Sequence, residues 1–167
     1  MLGNAVLRPG QNAARDDAIY VEVAITIRRP RIDVARVMFS PRYDTAWIGR
    51  LRNSVANTAG PLRAGVTVAH EWRWFHRRIA EVSEVVQHTQ GRVLELATRL
   101  PFALRLRYEL EGIPEGSIAR IRMVGTASGA LRFIAPVANM LLRGAVIRDL
   151  DRLKALLESG AWRHLSP

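Results

Sequence analysis

The sequence contains no cysteine. The chain therefore has no disulfide, no thiolate zinc site, no iron–sulfur cluster and no cysteine nucleophile. It also lacks an uninterrupted run of about 18 apolar residues, the length that a membrane-spanning helix needs. The apolar stretch within residues 1–10 is too short for the core of a signal peptide. We expect a cytoplasmic protein that is stabilised by a hydrophobic core and not by cross-links.

Lysine is nearly absent as well. The formal net charge is +10, yet Lys154 is the only lysine, so arginine carries almost all of the positive charge. The arginines occur singly or in pairs such as Arg28–Arg29 and Arg77–Arg78. No run of about 5–8 basic residues, as in nucleic-acid-binding segments, is present. We interpret the arginines as a solvated basic surface, in preference to a nucleic-acid interface.

Recognisable catalytic and metal-binding motifs are missing too. The sequence has no Gly-x-Ser-x-Gly elbow, no phosphate-binding loop and no His-Glu-x-x-His. His70 and His76 would lie about 20 Å apart on one extended strand, too far to share a metal ion. The residues therefore predict neither a metal site nor a cofactor. Glu81, Glu84, Glu109 and Glu111 are interpreted as outward charges, and Asp16–Asp17 as part of the surface, so no acid–base pair is predicted.

The length and the pattern predict one domain. At 167 residues the chain can bury a core of its own. Residues 1–17 mix small, polar and charged types without a period, and we expect a flexible leader there. The folded domain should cover residues 18–160, and residues 161–167 should form a tail.

Within that domain, strands are predicted by alternation. Apolar residues alternate through Ile19–Ile27, Pro30 ends this strand, and two short helices should follow at Arg31–Phe39 and Tyr43–Leu51. From Val55 onward, turn signals at a spacing of roughly 10–13 residues predict an antiparallel meander. The later strands are predicted at Val66–Phe75, Ile79–His88, Arg92–Arg99, Ala103–Glu111 and Ser117–Ala127.

The end of the chain changes from strand to helix periodicity. Leu141, Leu153 and Leu157 belong to a series of apolar residues that recurs mostly at three- or four-residue steps. They predict one helix from about residue 132 to 158, some ~36 Å long. Such a helix needs a whole sheet to cover it. We therefore predict an α+β fold in which a seven-stranded, curved antiparallel sheet wraps around the long C-terminal helix, with two short helices after the first strand.

This order of elements resembles the SRPBCC superfamily, also called START or helix-grip proteins, and most closely its bacterial polyketide cyclase/dehydrase-like members. The resemblance rests on architecture and apolar positions over about residues 18–160, and no invariant catalytic motif carries it. It implies a cavity between sheet and helix for lipids, polyketides, quinones or other small hydrophobic molecules. The segments that carry it are Ile19–Ile27, Trp47–Gly49, Glu71–Phe75 after Gly65, Glu84–Val86 before Gly91–Leu94, and Asp149–Glu158.

His70 is the most informative single residue of the predicted wall. On the strand Val66–Phe75 it shares a face with Trp72 and Trp74, and would be the one ionisable group there. It could orient a ligand oxygen or act as an acid or base, with Tyr108 as a second proton handler. A hydrogen-bonded core histidine is the alternative. The residues predicted to contact a ligand are His70, Trp72, Trp74, Leu106, Tyr108, Ala119, Ile121, Met123, Phe133, Met140 and Leu141.

Three functions remain open from the sequence. The first is a binding protein that shields a small hydrophobic ligand as a carrier, sensor or chaperone, without catalysis. The second is a polyketide cyclase/dehydratase-type enzyme. The third is an interaction module that uses a basic surface on RNA, the ribosome or a membrane. The last two strands would pair Arg107 with Arg120 and Arg105 with Arg122. Glu95 on the preceding strand should lie beside Arg107 and relieve part of that repulsion. These four arginines predict a basic ridge with weak affinity for an acidic protein or anionic lipid headgroups.

Overall fold

The computed structural model describes residues 18–74, 76–99, 103–126 and 135–165. Predicted features within residues 1–17 and 127–134, including Phe133, lie outside the described residues. The elements in chain order are β1 (Ala18–Ile27), α1 (Arg31–Met38), α2 (Pro41–Trp47), β2 (Leu51–Ala56), β3 (Thr67–Trp74), β4 (Arg77–Thr89), β5 (Val93–Thr98), β6 (Leu104–Ile113), β7 (Gly116–Thr126), α3 (Ala135–Ser159) and a C-terminal 3-10 helix (Ala161–His164).

The strands form one antiparallel sheet in the order β1-β7-β6-β5-β4-β3-β2. Strands β2 to β7 form the predicted meander, and β1 pairs with β7 along its whole length, from Ala18 opposite Thr126 to Ile27 opposite Ser117. The seven-stranded curved sheet, the two short helices after β1 and the long C-terminal helix confirm the predicted α+β fold.

The helices cover one face of the sheet. Helix α3 packs against β1 and α2. Its buried side chains are Val146, Leu150, Leu153 and Leu157. They join a core that also contains Trp47 of α2 and residues of every strand. None of the described helices combines the length and apolar character needed to cross a bilayer.

Two helix boundaries differ from the prediction. Helix α2 ends at Trp47 and β2 begins at Leu51, so the segment predicted as helix up to Leu51 is shorter. Helix α3 runs to Ser159, and Gly160 ends it with a φ of 79°, a left-handed conformation that favours glycine. Beyond it, part of the predicted tail forms the 3-10 helix, and Trp162 in this helix is buried.

The facing of the first half of α3 was predicted wrongly. Met140 and Leu141 were expected to point inward, but they are 67% and 57% exposed, whereas Leu153 is fully buried as predicted. The reason is that the helix carries a second apolar stripe on its opposite side, which includes Val137. Periodicity detects both stripes and does not say which one the sheet covers.

The β6–β7 hairpin is tighter than predicted. Ile113 pairs with Gly116, so the turn consists of Pro114 and Glu115 only. Gly116 has a φ of 146°, and a side chain there would clash with the carbonyl oxygen of Ile27. The tight turn moves the register by two residues relative to the expected one. In particular, Arg107 lies opposite Arg122 and Glu109 lies opposite Arg120.

Candidate functional site

A group of polar side chains lies on the inner face of the sheet, where the sequence predicted only His70 and Tyr108 among apolar residues. We call it the inner polar cluster. Its members are Asp44 of α2, Ser54 of β2, His70 of β3, Glu81 of β4 and Tyr108 of β6.

The sheet register brings three of these residues side by side. Ser54 pairs with His70, and His70 pairs with Glu81. Residues that are directly opposite on neighbouring strands share a face of the sheet. The side chain of His70 is buried, so the inner face of this row is the one covered by the helices. The strand pattern thus places a hydroxyl, an imidazole and a carboxyl in one line.

Helix α2 brings a fourth polar group down onto this row. The Ser54 hydroxyl donates a hydrogen bond of 2.7 Å to Asp44 Oδ2. The same oxygen lies 4.0 Å from His70 Nε2, which is too long for a hydrogen bond. Asp44 is 9% exposed and His70 is 8% exposed, so the pair is held inside the protein.

Burial opposes a charge on either member of this pair. Desolvation raises the pKa of Asp44 from 3.8 to about 7, and the hydrogen bond from Ser54 opposes part of that rise. Desolvation also lowers the pKa of His70 from 6.5 to about 4. Near neutral pH, His70 is therefore uncharged and Asp44 is close to half-ionised. Strongly shifted pKa values of this kind occur preferentially at functional sites.

Glu81 was predicted to point outward, but it lies on the inner face of the sheet, opposite His70. Burial raises its pKa, and hydrogen bonding by Ser83, Thr98 and Trp72 opposes that rise. The Ser83 hydroxyl donates to Glu81 Oε1 over 3.0 Å. The indole N–H of Trp72 favours the charged form of Glu81, although it makes no hydrogen bond of good geometry within the described residues. The alternation through Ile79, Glu81, Ser83 and Val85 was the available sequence signal.

Tyr108 closes the cluster on the side of α3. Burial raises its pKa well above 10.0, and the nearby carboxylates of Asp44, Asp149 and Glu81 raise it further. Its ring packs edge-on against Trp47 at a centroid distance of 6.1 Å. Tyr108 therefore stays protonated at all ordinary pH values. It can donate a hydrogen bond but does not act as a base.

Asp149 is a further carboxylate at the edge of the cluster. Its Oδ1 accepts a hydrogen bond of 3.0 Å from the backbone N–H of Gly49 and one of 3.2 Å from Arg152 Nη1. Burial nevertheless raises the pKa of Asp149 above its ordinary value. These contacts tie α3 to the end of α2, so the two helices that cover the cluster are linked to each other.

Three buried nitrogen atoms in this region have no hydrogen-bond partner among the described residues. They are Nδ1 of His70 and Nε1 of Trp47 and of Trp72. A buried polar group without a partner costs roughly 1–3 kcal/mol. His70 and Asp44 also make no hydrogen bond to each other. The interior therefore contains hydrogen-bonding groups that the fold itself does not pair.

The other predicted ligand contacts are distributed around this cluster. Ile121 is buried opposite Tyr108, while Leu106 and Met123 face each other and are half-buried. Ala119 is fully buried farther along β7. Trp72 is half-buried and its ring centroid lies 5.8 Å from that of His70. Met140 and Leu141 lie at the surface, and the side chain of Trp74 lies outside what the structure describes.

The predicted ligand hollow itself stays a prediction. Two of the surface depressions on the described residues lie elsewhere. One lies beside α1, α2 and the C-terminal 3-10 helix, and the other is lined by residues of β5 to β7 such as Arg92 and Glu111. Neither is lined by the inner polar cluster.

The arginines of the predicted basic ridge take part in an ion-pair network, and an anionic partner for the ridge stays a prediction. Glu95 contacts both Arg105 and Arg107 at 2.8 Å, and it lies opposite Arg107 as predicted. Glu22 and Glu109 neutralise the rest. The other pairs are Arg107–Glu109, Arg120–Glu22, Arg120–Glu109 and Arg122–Glu22. Three glutamates therefore share four arginines, so most of the positive charge of this group is paired.

Comparison with known proteins defines the fold. No protein-family model matches the chain, and no curated protein matches its sequence significantly. Solved structures do match. The di-domain ARO/CYC StfQ from the steffimycin biosynthetic pathway has a TM-score of 0.73 at 12% identity, over 87% of this chain and 52% of that one. Protein NE0264 from Nitrosomonas europaea has a TM-score of 0.71 at 11% identity, over 86% and 96%.

DynU16 of the dynemicin biosynthetic locus matches with a TM-score of 0.64 at 16% identity, over 85% of this chain and 48% of that one. The chain thus spans about half the length of StfQ and of DynU16. Identities this low establish the fold alone. The chain has the predicted helix-grip fold.

Proposed function

We propose that this protein binds a small hydrophobic molecule between the sheet and α3, with a polar oxygen of the ligand placed at the inner polar cluster. Lipids, polyketides and quinones have this chemistry, and the protein would serve as their carrier, sensor or chaperone. The observation that carries the proposal is the buried pair of Asp44 and His70, because the fold makes no direct hydrogen bond between these two groups.

The surroundings of the pair support a ligand of mixed character. Leu106, Ile121 and Met123 provide apolar wall, and the half-buried members of this set adapt their shape easily. His70 Nδ1, Trp47 Nε1 and the protonated Tyr108 provide hydrogen-bonding groups. A mostly apolar wall with a few convergent polar groups is the usual composition of a small-molecule site. StfQ, described as an ARO/CYC of a biosynthetic pathway, is consistent with this use of the fold.

Calorimetric titration tests the proposal without relying on the four tryptophans of the chain. A long-chain fatty acid, a quinone and a flat polycyclic aromatic serve as probes. We expect saturable binding of at least one of them in the micromolar range, which corresponds to about −8 kcal/mol. The variant Met123→Trp should abolish it by filling the inner wall. Its control is Val124→Trp, which adds the same ring at the exposed neighbouring position. If no probe saturates, or if both variants bind equally well, the proposal is wrong.

An enzyme that assists cyclisation or dehydration of a polyketide-like chain is the second candidate. The specific observation in its favour is that a buried carboxyl with a pKa of about 7 lies beside a neutral imidazole. Asp44 could then accept a proton, because its pKa lies near neutral pH, while Tyr108 donates a hydrogen bond to a carbonyl oxygen.

Turnover of an aromatic polyketide precursor, followed by product analysis, separates the two candidates. For an enzyme, Asp44→Asn should reduce turnover by at least about 100-fold, and calorimetry should show that the ligand still binds. A precursor that binds saturably and is never converted would eliminate the enzyme and leave the carrier.

A further inference from the structure

A depression on the surface lies away from the inner polar cluster. It has a volume of about 640 Å³, is open to solvent, and is bordered by α1, the beginning of α2 and the C-terminal 3-10 helix. Six of its lining residues are Arg36, Arg42, Tyr43, Trp162, Arg163 and His164. Its size is within the range of small-molecule sites, roughly 300–1,000 Å³. None of these residues belongs to the cluster proposed to bind the hydrophobic ligand.

The charge of this depression is positive and uncompensated. Its described lining contains three arginines and one histidine but no aspartate or glutamate. Within the described residues, Arg36, Arg42 and Arg163 form no ion pair. The outer face of the sheet is the opposite case, since Glu22, Glu95 and Glu109 neutralise its four clustered arginines.

Aromatic rings hold these guanidinium groups in place. Arg36 Cζ lies 5.6 Å and Arg163 Cζ lies 5.4 Å from the centroid of the Trp162 ring, so two cations share one indole. Arg42 Cζ lies 4.7 Å from the centroid of the Tyr43 ring. A guanidinium that stacks on a ring keeps its N–H groups available at the edge. The arrangement therefore presents ordered donors to the depression.

Trp162, the ring that Arg36 and Arg163 share, is itself buried. The residue is only 4% exposed, and its Nε1 is buried without a hydrogen-bond partner among the described residues. The buried indole is therefore a fixed platform for the two guanidinium groups beside it. Every polar side chain in this set except His164 and Tyr43 can only donate hydrogen bonds.

We propose that this depression binds the phosphate group of an anionic ligand. Several converging guanidinium groups suit a phosphate because they bind its oxygens bidentately and match its double negative charge. An anion between Arg36 and Arg163 would also offset the repulsion between two cations that share one ring. A soluble phosphorylated metabolite and a phospholipid headgroup have the same chemistry. This site would act independently of the hydrophobic-ligand site.

The test compares pyrophosphate binding by calorimetry at low salt in three forms of the full chain. These are the unmodified protein, the double variant Arg36→Gln/Arg163→Gln, and the matched control Arg63→Gln/Arg73→Gln. The control removes the same charge from two exposed arginines elsewhere. We expect the first pair to weaken binding at least about tenfold, because hydrogen bonds to charged groups contribute about 1.5–3 kcal/mol. The control should change it less than about twofold.

Vesicles that contain phosphatidic acid distinguish the two sources of phosphate. Binding of vesicles that pyrophosphate displaces indicates a lipid headgroup, and binding of pyrophosphate alone indicates a soluble metabolite. Arg42→Gln provides a second variant that leaves Trp162 and its two arginines unchanged, should the double variant fail to fold. The proposal is overturned if both double variants lose affinity equally, which would be a net-charge effect, or if the unmodified protein binds neither probe.

Discussion

The inner face of the sheet has two halves that differ in chemistry. Strands β1, β6 and β7 present mainly apolar side chains to the core, among them Val21, Leu110 and Ile121. Strands β2 to β4 present Ser54, His70 and Glu81 beneath Asp44. Helix α3 packs on β1 and α1 packs on β6 and β7, whereas α2 packs on β2.

The apolar half stabilises the fold, and the polar half carries the groups that we propose bind the ligand. Burying apolar surface stabilises the fold by about 25 cal/mol per Å², whereas burying ionisable groups destabilises it unless they are well paired. The shifted pKa values of Asp44 and His70 show that the polar half carries such a cost. We propose that the polar half is retained, despite its cost in folding free energy, because it binds the ligand.

The largest expected effect concerns the apolar half. Leu153 is fully buried on α3, and Leu153→Ala removes its contacts and leaves a cavity. We expect the free energy of unfolding to fall by about 2–5 kcal/mol. Urea unfolding measures it. A loss below about 1 kcal/mol would mean that the helix does not rely on this face for its packing.

The next effect distinguishes the polar half by its pH dependence. The raised pKa of Asp44 means that its folded form binds more protons than the unfolded form between pH 3.8 and about 7, so its contribution to stability falls as pH rises. The lowered pKa of His70 has the opposite sign between about 4 and 6.5, and its contribution rises with pH. In the unmodified protein the two slopes largely cancel.

Single substitutions should reveal each slope. In Asp44→Asn, only the His70 slope remains. The contribution of His70 to the free energy of unfolding should then rise by about 3 kcal/mol from pH 4 to 6.5, at about 1.4 kcal/mol per pKa unit. In His70→Asn, stability should instead fall with rising pH. Urea midpoints at pH 4.5 and pH 7 give the sign. Other carboxylates titrate in every variant, so the difference from the unmodified protein is the quantity to compare. Identical slopes in both variants would contradict the burial of the pair.

The sequence predicted the fold because strict alternation is a local signal. Ile19–Ile27 and the strand around His70 each bury the expected face, and Gly160 ends α3 as a left-handed glycine. The register of the β6–β7 hairpin was missed because it depends on the length of the turn, and Pro114–Glu115 proved to be the whole turn.

The candidate site was predicted only in part. His70 and Tyr108 were expected on the inner wall and lie there, both buried. Asp44 was missed because its position beside His70 follows from how α2 packs on β2 and β3, a tertiary contact that no local pattern contains. Glu81 was assigned outward because a carboxylate is rarely buried, although its neighbours on β4 alternate with it on the inner side.

The smallest expected effect lies on the same helix as the largest. Leu141 sits in α3 about 18 Å before Leu153, at 1.5 Å per residue, but its side chain is 57% exposed. Leu141→Ala removes little buried surface, and alanine and leucine have similar helix propensities. The free energy of unfolding should therefore change by less than about 0.5 kcal/mol. The same substitution in the same helix then reports directly which face the sheet covers. If Leu141→Ala lowers the free energy of unfolding as much as Leu153→Ala does, the outer stripe with Val137 and Met140 is buried in solution. The sequence-based prediction that Leu141 points inward would then be correct.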